Sequence, residues 1–164
     1  MPGLITAPEC GLTVGDGTRC TLFLAGGISG CGDWQARMVE MLGDLPSEWT
    51  ILNPRRPDYR DSPREARRQI GWEYAHLAVA DAISFWFPPQ TLCPITLLEL
   101  GRWSGIAKPI FVGVDPGYSR KLDVEIQIGL VRPFVRIAYS LAKLAAMIRQ
   151  EAPEIAAGKR GEKM

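Results

Sequence analysis

The chain has few of the residues that most metal and redox sites require. Its only histidine is His76, and its four cysteines, Cys10, Cys20, Cys31 and Cys93, are irregularly spaced with no C-x-x-C pair. Zinc-ligand spacing is therefore absent, and we expect neither a metal nor another cofactor. A disulfide between two of the cysteines stays open, although reduced thiols in a cytosolic protein are the preferred interpretation.

Excess charge and long apolar runs are missing as well. The formal net charge is +1, so no global basic field would attract a nucleic acid polymer. No apolar run approaches the roughly 18 residues of a membrane-spanning helix. The first residues do not combine a charged segment with an apolar one, as a secretory signal would. We therefore expect a cytoplasmic protein that binds a small molecule, not a membrane or a polymer.

The remaining composition is that of an ordinary globular domain. Of the 164 residues, 46% are hydrophobic and 23% charged, enough to build one core. Glycine and proline interrupt the pattern near the start, and the end is polar. We predict an irregular leader over residues 1–19, a single domain over residues 20–152 and a polar tail over residues 153–164.

Continuous apolar runs alternate with amphipathic segments along the chain. Such runs are typical of strands that are covered on both faces, as in a parallel sheet. The predicted strands are Cys20–Ala25, Trp49–Asn53, Ile83–Phe87, Lys108–Val114 and Val131–Ala138. The pattern predicts an α/β, flavodoxin-like (Rossmann-like), doubly wound five-stranded parallel sheet with strand order 2-1-3-4-5.

A glycine-rich loop, GGISGCGDWQ, follows the first predicted strand. Gly27 and Gly32 have the spacing of a phosphate-binding P-loop, but Asp33 and Trp34 stand where Lys and Ser or Thr are needed. Asp33 is the predicted N-cap of the next helix and adds negative charge there. The loop would let a ligand approach its backbone without holding a phosphate. A plain strand-to-helix turn remains the alternative.

Three unusual loops converge in the predicted topology. The switch point lies between the first and third strands, so Gly26–Asp33 and Pro88–Pro94 flank one crevice, with Asn53–Tyr59 at its side. Glu99 lies in the helix that opens at the second loop, and Glu73 lies in the preceding helix. Two carboxylates that are not accompanied by a set of metal ligands suit acid–base or covalent chemistry at an acetal-like carbon, as in glycosyl transfer. Solvated helix faces are the alternative for both residues.

Several segments, in order, resemble a known family. FLAGG, LNPRRP, QIGWE, FWFPPQTLCPITLLELGRW, KPI and VGVDPGY are similar to the nucleoside 2-deoxyribosyltransferase superfamily, and most closely to its divergent nucleoside 2-deoxyribosyltransferase-like branch. The resemblance covers roughly Thr21 to Leu130. It implies cleavage or base exchange at the N-glycosidic bond of a (deoxy)nucleoside or related N-riboside, through a covalent glycosyl-Glu intermediate. It also implies a homo-oligomer.

The resemblance assigns roles to four acidic residues. Glu99 matches the nucleophile that attacks C1′ of the sugar, and Glu73 matches a catalytic aspartate that helps to protonate the departing base. Asp81 matches an acid at a helix end with a structural role. Asp123 falls near a position that a neighbouring subunit lends to the sugar hydroxyls.

The chain departs from the family pattern at the substrate. Phe23 stands where members often carry a tyrosine that hydrogen-bonds the nucleophile, and Cys93 where the transferases carry a base-binding aspartate. Related monophosphate hydrolases hold the 5′-phosphate with a small hydroxyl residue where this chain has Pro94 and Ile95.

We predict Glu99 and Glu73 as the catalytic residues. The residues predicted to bind or shape the substrate site are Gly26, Gly27, Asp33, Asn53, Arg55, Trp86, Cys93 and Asp123. Two alternatives stay open: a non-catalytic nucleoside or nucleotide sensor on the same fold, and a nucleotide 5′-monophosphate N-glycosidase that uses Arg55 and Arg56 for the phosphate.

Overall fold

An all-parallel sheet forms the centre of the protein in the computed structural model, which describes residues 1–9 and 19–161. Within these residues the sheet has six strands in the order β1-β3-β2-β4-β5-β6. The strands are β1 Gly3–Thr6, β2 Cys20–Gly26, β3 Trp49–Asn53, β4 Ala82–Phe87, β5 Ile110–Val114 and β6 Ile137–Ala138. The helices are α1 Trp34–Met41, α2 Pro63–Val79, α3 Pro94–Ser104, α4 Lys121–Val131 and α5 Leu141–Gly161.

The predicted flavodoxin-like fold is confirmed, with one strand more than expected. Without β1, the order β3-β2-β4-β5-β6 is the predicted 2-1-3-4-5, and every neighbouring pair is parallel. The added strand β1 pairs with β3 in register Leu4↔Ile51. The leader is therefore not irregular throughout. The indole Nε1 of Trp72 also donates a hydrogen bond to the carbonyl of Glu9 at 2.9 Å, which holds the leader against α2. The rest of the predicted leader, residues 10–18, lies outside the described residues.

The sheet separates two apolar layers. One contains α1 and α5 and buries Trp49, Trp86 and Phe111. The other contains α2, α3 and α4 and buries Phe85 and Phe87 among others. Full burial of each such side chain contributes roughly 1.5–3 kcal/mol. The second layer carries both glutamates of the predicted site.

Local signals explain where the helices of that layer begin. At α2 the Ser62 hydroxyl accepts a hydrogen bond from the Glu65 amide at 3.2 Å, as the capping box predicts. At α3 no side chain caps the helix, and Cys93 adopts a left-handed conformation with φ 51°. Pro94 then fills the first helical position, where its missing N–H costs nothing.

The carboxyl-terminal third differs from the prediction in two places. Helix α4 extends to Val131, and β6 reduces the predicted strand Val131–Ala138 to its last two residues. Helix α5 continues through Pro153 to Gly161, so residues 153–161 of the predicted polar tail are helical. The last turns stay helical because Ala152 and Ala156 are buried in the first layer. Among the described helices, none combines the length and apolar character needed to cross a membrane.

Candidate active site

A cavity of about 570 Å³ opens at the carboxyl ends of β2, β3 and β4. Its floor contains Gly26 and Gly27, and its walls come from α2 and α3. This is the switch point of the sheet, where open α/β folds bind their ligands. Most of the lining is apolar or aromatic, so the few polar groups in it stand out.

Glu73 and Glu99 both line this cavity, from α2 and α3 respectively. Burial raises the pKa of Glu99 to about 8, with a further contribution from the negative charge of Glu73. Burial also raises the pKa of Glu73, opposed by a hydrogen bond from Gln69. The pair therefore retains a proton near neutral pH. Carboxyl groups with raised pKa values that meet in one cavity are typical of catalytic sites.

Helical spacing aims the α3 side chains into the cavity. Ile95, Leu98, Glu99 and Arg102 all line it, and they follow the i, i+3, i+4, i+7 pattern of one helix face. Leu98 is 71% exposed and Ile95 60%, so these two residues form an apolar rim around the opening. Glu99 lines the same cavity and is half-buried.

The glycine-rich loop packs against the start of α3. A Cβ on Gly27 would lie 2.6 Å from Thr91 Cγ2 and 2.8 Å from Cys93 Sγ, so any larger residue would require these side chains to move. Cys93 also lines the cavity, as predicted, and burial raises the pKa of its thiol to about 11. A neutral thiol therefore occupies the place where the resemblance puts a base-binding aspartate.

Arg55 holds the glycine-rich loop from behind. Its guanidinium donates four hydrogen bonds, three to loop carbonyls and one to Gln35 Oε1. Its backbone amide donates to Asn53 Oδ1 at 2.9 Å, and its Nη1 lies 3.7 Å from Asp33 Oδ1. None of Arg55, Asn53 and Asp33 lines the cavity. The lining therefore does not support their predicted contact with substrate, and these polar groups are engaged with the loop or, for Asp33, with the cap of α1.

Trp86 and Asp123 lie away from this cavity. Trp86 belongs to the opposite apolar layer, where a Cβ on Gly113 would lie 2.6 Å from its ring. Adjacent residues of a strand point to opposite faces, so Phe85 and Phe87 face the α2–α3 layer and Trp86 does not. The predicted stacking of Trp86 on a substrate is therefore wrong for this cavity. Asp123 is exposed on α4 and pairs with Arg120 at 2.8 Å; its contact with a neighbouring subunit's substrate stays a prediction.

Asp81 lies where a structural role requires it. Its Oδ2 accepts hydrogen bonds from the Thr21 amide at 2.7 Å and the Thr21 hydroxyl at 2.8 Å. Lys159 of α5 pairs with the same oxygen at 2.7 Å. The carboxylate thus joins β2, β4 and the end of α5, far from the cavity lining.

Several cavity residues were not predicted from the sequence. The guanidinium of Arg102 lies 4.7 Å from the Tyr74 ring centroid and 5.1 Å from that of Trp103, and all three residues line the cavity. Arg102 has no carboxylate within ion-pair distance among the described residues. Its spacing of three from Glu99 was the available signal for Arg102, and for Tyr74 it was the position next to Glu73.

Arg56 and Phe23 also line the cavity. Arg56 pairs with Glu65 at 2.7 Å and Asp58 at 3.2 Å, so its charge is already balanced. Phe23 is 1% exposed and brings no hydroxyl to Glu99, which accepts no hydrogen bond from any described residue. Within residues 1–9 and 19–161, no group of three or more His, Cys, Asp or Glu side chains is arranged to hold a metal ion.

The segment that builds this cavity also matches a family model. Residues 19–118 match the model described as nucleoside 2-deoxyribosyltransferase like. The chain belongs to this family. The match includes every residue that lines the cavity, from Phe23 to Trp103. The family membership supports a nucleoside-related activity on a small-molecule substrate.

A solved structure supports the fold independently. The crystal structure of a conserved protein from Enterococcus faecalis V583 superimposes with a TM-score of 0.59 at 16% sequence identity. The alignment covers 81% of this chain and 99% of that one. No curated protein matches the chain. At this level of identity the likeness establishes the fold alone.

Proposed function

We propose that the protein cleaves or exchanges the N-glycosidic bond of a (deoxy)nucleoside or related N-riboside. Glu99 would be the nucleophile and Glu73 its acid/base partner. The observation that carries the proposal is the meeting of two carboxyl groups with raised pKa values, from two helices, in one cavity at the sheet's switch point.

In the first step, an ionised Glu99 oxygen attacks C1′ and the electron pair of the C1′–N bond moves to the base. The base takes the proton of Glu73 as it leaves, and a glycosyl ester remains on Glu99. In the second step, water or a second base attacks C1′, Glu73 takes the proton of that nucleophile, and Glu99 is released as carboxylate. One proton on the pair is what the first step consumes, and a pair that retains one proton near neutral pH provides it.

The cavity walls suit this substrate class. Tyr74 and Trp103 offer aromatic surface within reach of a planar base, and Ile70 and Leu98 restrict water at the opening. A carboxylate that is poorly hydrated reacts more readily as a nucleophile, provided that fixed groups stabilise the transition state. A homo-oligomer remains part of the proposal, since Asp123 would act only in a neighbouring copy.

A non-catalytic nucleoside sensor is the second candidate, and Phe23 is the observation that favours it. Without a hydroxyl at this position, Glu99 lacks a hydrogen-bond donor to orient it among the described residues. The sensor would bind nucleosides without turnover, and Glu99→Gln would bind as tightly as the wild type. The 5′-monophosphate N-glycosidase is less favoured, because Arg55 and Arg56 both have their charges engaged within the protein.

These three hypotheses are tested by incubating the protein with a panel of nucleosides and their 5′-monophosphates and measuring the released base by chromatography. We expect base release by the wild type and a loss of at least about 100-fold in Glu99→Gln, the scale of a lost covalent nucleophile. Glu154→Gln, an exposed position on α5, is the matched control. Addition of a free acceptor base separates exchange from hydrolysis. Wild-type turnover in Glu99→Gln would rule out the proposed mechanism.

A further inference from the structure

Gln69 is the cavity-lining residue that makes direct contact with Glu73. Its Nε2 donates one hydrogen bond to Glu73 Oε1 at 2.8 Å and another to the carbonyl oxygen of Pro54 at 2.7 Å. Gln69 and Glu73 lie one turn apart on α2, whereas Pro54 belongs to the loop after β3. The amide therefore ties the carboxyl group to a neighbouring wall of the cavity.

The orientation of this amide is fixed by the backbone. Both N–H groups of Gln69 are used, and its Oε1 is buried without a partner in the described part of the chain. Rotation of the amide by half a turn would bring Oε1 against the Pro54 carbonyl, which has no proton to offer. Glu73 is thus always presented with a donor. A donor stabilises the ionised form of a carboxyl group more than the neutral form.

We propose that Gln69 is a positioning residue that holds Glu73 ionised in the free protein and thereby keeps the proton of the pair on Glu99. The consequence of this inference depends on the proposed function: the nucleophile Glu99 stays protonated until substrate is bound. A base nitrogen that faces Glu73 with its lone pair favours a protonated Glu73. The single proton then moves from Glu99 to Glu73, which frees Glu99 to attack C1′ and equips Glu73 to protonate the leaving base.

The other charged groups around the pair do not account for this order. The titratable and charged residues that share the cavity with Glu73 are Glu99 and Arg102 from α3, Cys93 from the turn before it, Arg56 and Tyr59 from the loop after β3, and Tyr74 from α2 itself. Arg56 is balanced by two carboxylates, and Arg102 lies against the rings of Tyr74 and Trp103. Burial raises the pKa of Glu73, and the bond from Gln69 lowers it. The charge of ionised Glu73 in turn raises the pKa of Glu99.

Removal of the donor should therefore move the two carboxyl groups in opposite directions. In Gln69→Met the pKa of Glu73 rises because burial is no longer opposed, and the pKa of Glu99 falls because its neighbour is neutral. A variant that merely loosened the cavity would hydrate both groups and lower both pKa values. Opposite shifts therefore separate positioning from a structural role.

The experiment is a pH titration of the substrate-free protein by NMR, with ¹³C-labelled glutamate carboxyl carbons assigned through Glu73→Gln and Glu99→Gln. We expect Glu73 to titrate before Glu99 in the wild type. In Gln69→Met the two pKa values should shift oppositely, by about one unit each. Gln69→Lys keeps a donor and should preserve the wild-type order, which also covers the case that Gln69→Met does not fold. Gln127→Met, exposed on α4, is the matched control.

Three results would overturn the inference. The first is unchanged pKa values in Gln69→Met, and the second is a shift of both pKa values in one direction. The third is that Glu99 titrates before Glu73 in the wild type or in Gln69→Lys. The titration needs no substrate, so it gives a clear result for the inference even if the wild type releases no base. Absence of base release would count against the proposed function alone.

Discussion

Glu99 carries a negative charge that its surroundings disfavour, and this has a consequence for stability. Its pKa is raised from 4.5 to about 8 by burial and by Glu73. The folded state therefore binds the proton more tightly than the unfolded state between these two values. By linkage, the free energy of unfolding falls as pH rises through this window. The proposed nucleophile therefore lowers stability at neutral to alkaline pH.

Glu99→Gln removes this charge and should make the protein more stable at alkaline pH. The gain over the wild type should be small near pH 5 and grow to roughly 2–4 kcal/mol near pH 8.5, below the full linkage limit because Glu99 is half-buried. Denaturant unfolding at several pH values measures it. Parallel stability curves for the two proteins across this range would contradict the assigned pKa shift.

The residues of the site were predictable to different degrees for physical reasons. Glu73 and Glu99 were predicted because a lone acid in an apolar context suggests chemistry, and both line the cavity; their catalytic roles stay a prediction. Trp86 was misplaced because every position of its strand is buried, so no alternation reveals which face a side chain takes. Arg55 was assigned to the substrate because its positive charge is evident in the sequence. The loop carbonyls that accept its hydrogen bonds come close to it only in the folded structure. Gln69 shares a helix face with Glu73, but the buried Oε1 without a partner, on which its proposed role rests, is visible only in the structure.

At the scale of elements, Arg55 is one of the side chains that hold the loop between β2 and α1, together with Trp34 and Gln35. Arg55 donates three hydrogen bonds to carbonyls of this loop, and Gly27 of the same loop lines the cavity. A residue that follows β3 therefore contributes to the shape of this loop. The two adjacent strands are coupled at the site through this arginine.

Arg55→Met should loosen the loop without removing any cavity-lining group. We expect KM for the best nucleoside to rise by about tenfold or more, with a smaller change in kcat, because each lost charge-assisted hydrogen bond costs about 1.5–3 kcal/mol and part of that loss affects binding. Steady-state kinetics measures the split, with Arg37→Met, exposed on α1, as the control. An unchanged KM together with reduced kcat would contradict an indirect role and indicate a contact in the transition state.

Elements at the chain's ends were the hardest to predict. Strand β1 has four residues and exists through pairing with the open edge of β3. The last turns of α5 contain a proline and polar residues, yet Ala152 and Ala156 are buried and Lys159 reaches Asp81. Both elements depend on tertiary contacts that outweigh local propensity.

At the scale of the whole molecule, Asp81 joins distant parts of the sequence. It connects the start of β2 to the last turns of α5 through Thr21 and Lys159. These contacts lie at the amino-terminal end of the strands, and the cavity lies at the opposite end. This stabilising cluster and the candidate site therefore lie at opposite edges of one sheet.

Asp81→Ala should lower stability and leave the site intact. Loss of a partly buried carboxylate with three donors should cost on the order of 2–4 kcal/mol, because the Thr21 and Lys159 groups lose their partner. Chemical denaturation measures the cost, and kcat/KM of the folded fraction should stay within about twofold. A large loss of activity without loss of stability would contradict the structural assignment.

The account as a whole depends on a covalent bond at Glu99. Mass spectrometry of the protein quenched during turnover of a nucleoside measures it directly. The account predicts a mass increase equal to the glycosyl group, located on the peptide that contains Glu99 and absent from Glu99→Gln. Steady base release with no adduct on that peptide, or with the adduct on another residue, would contradict it.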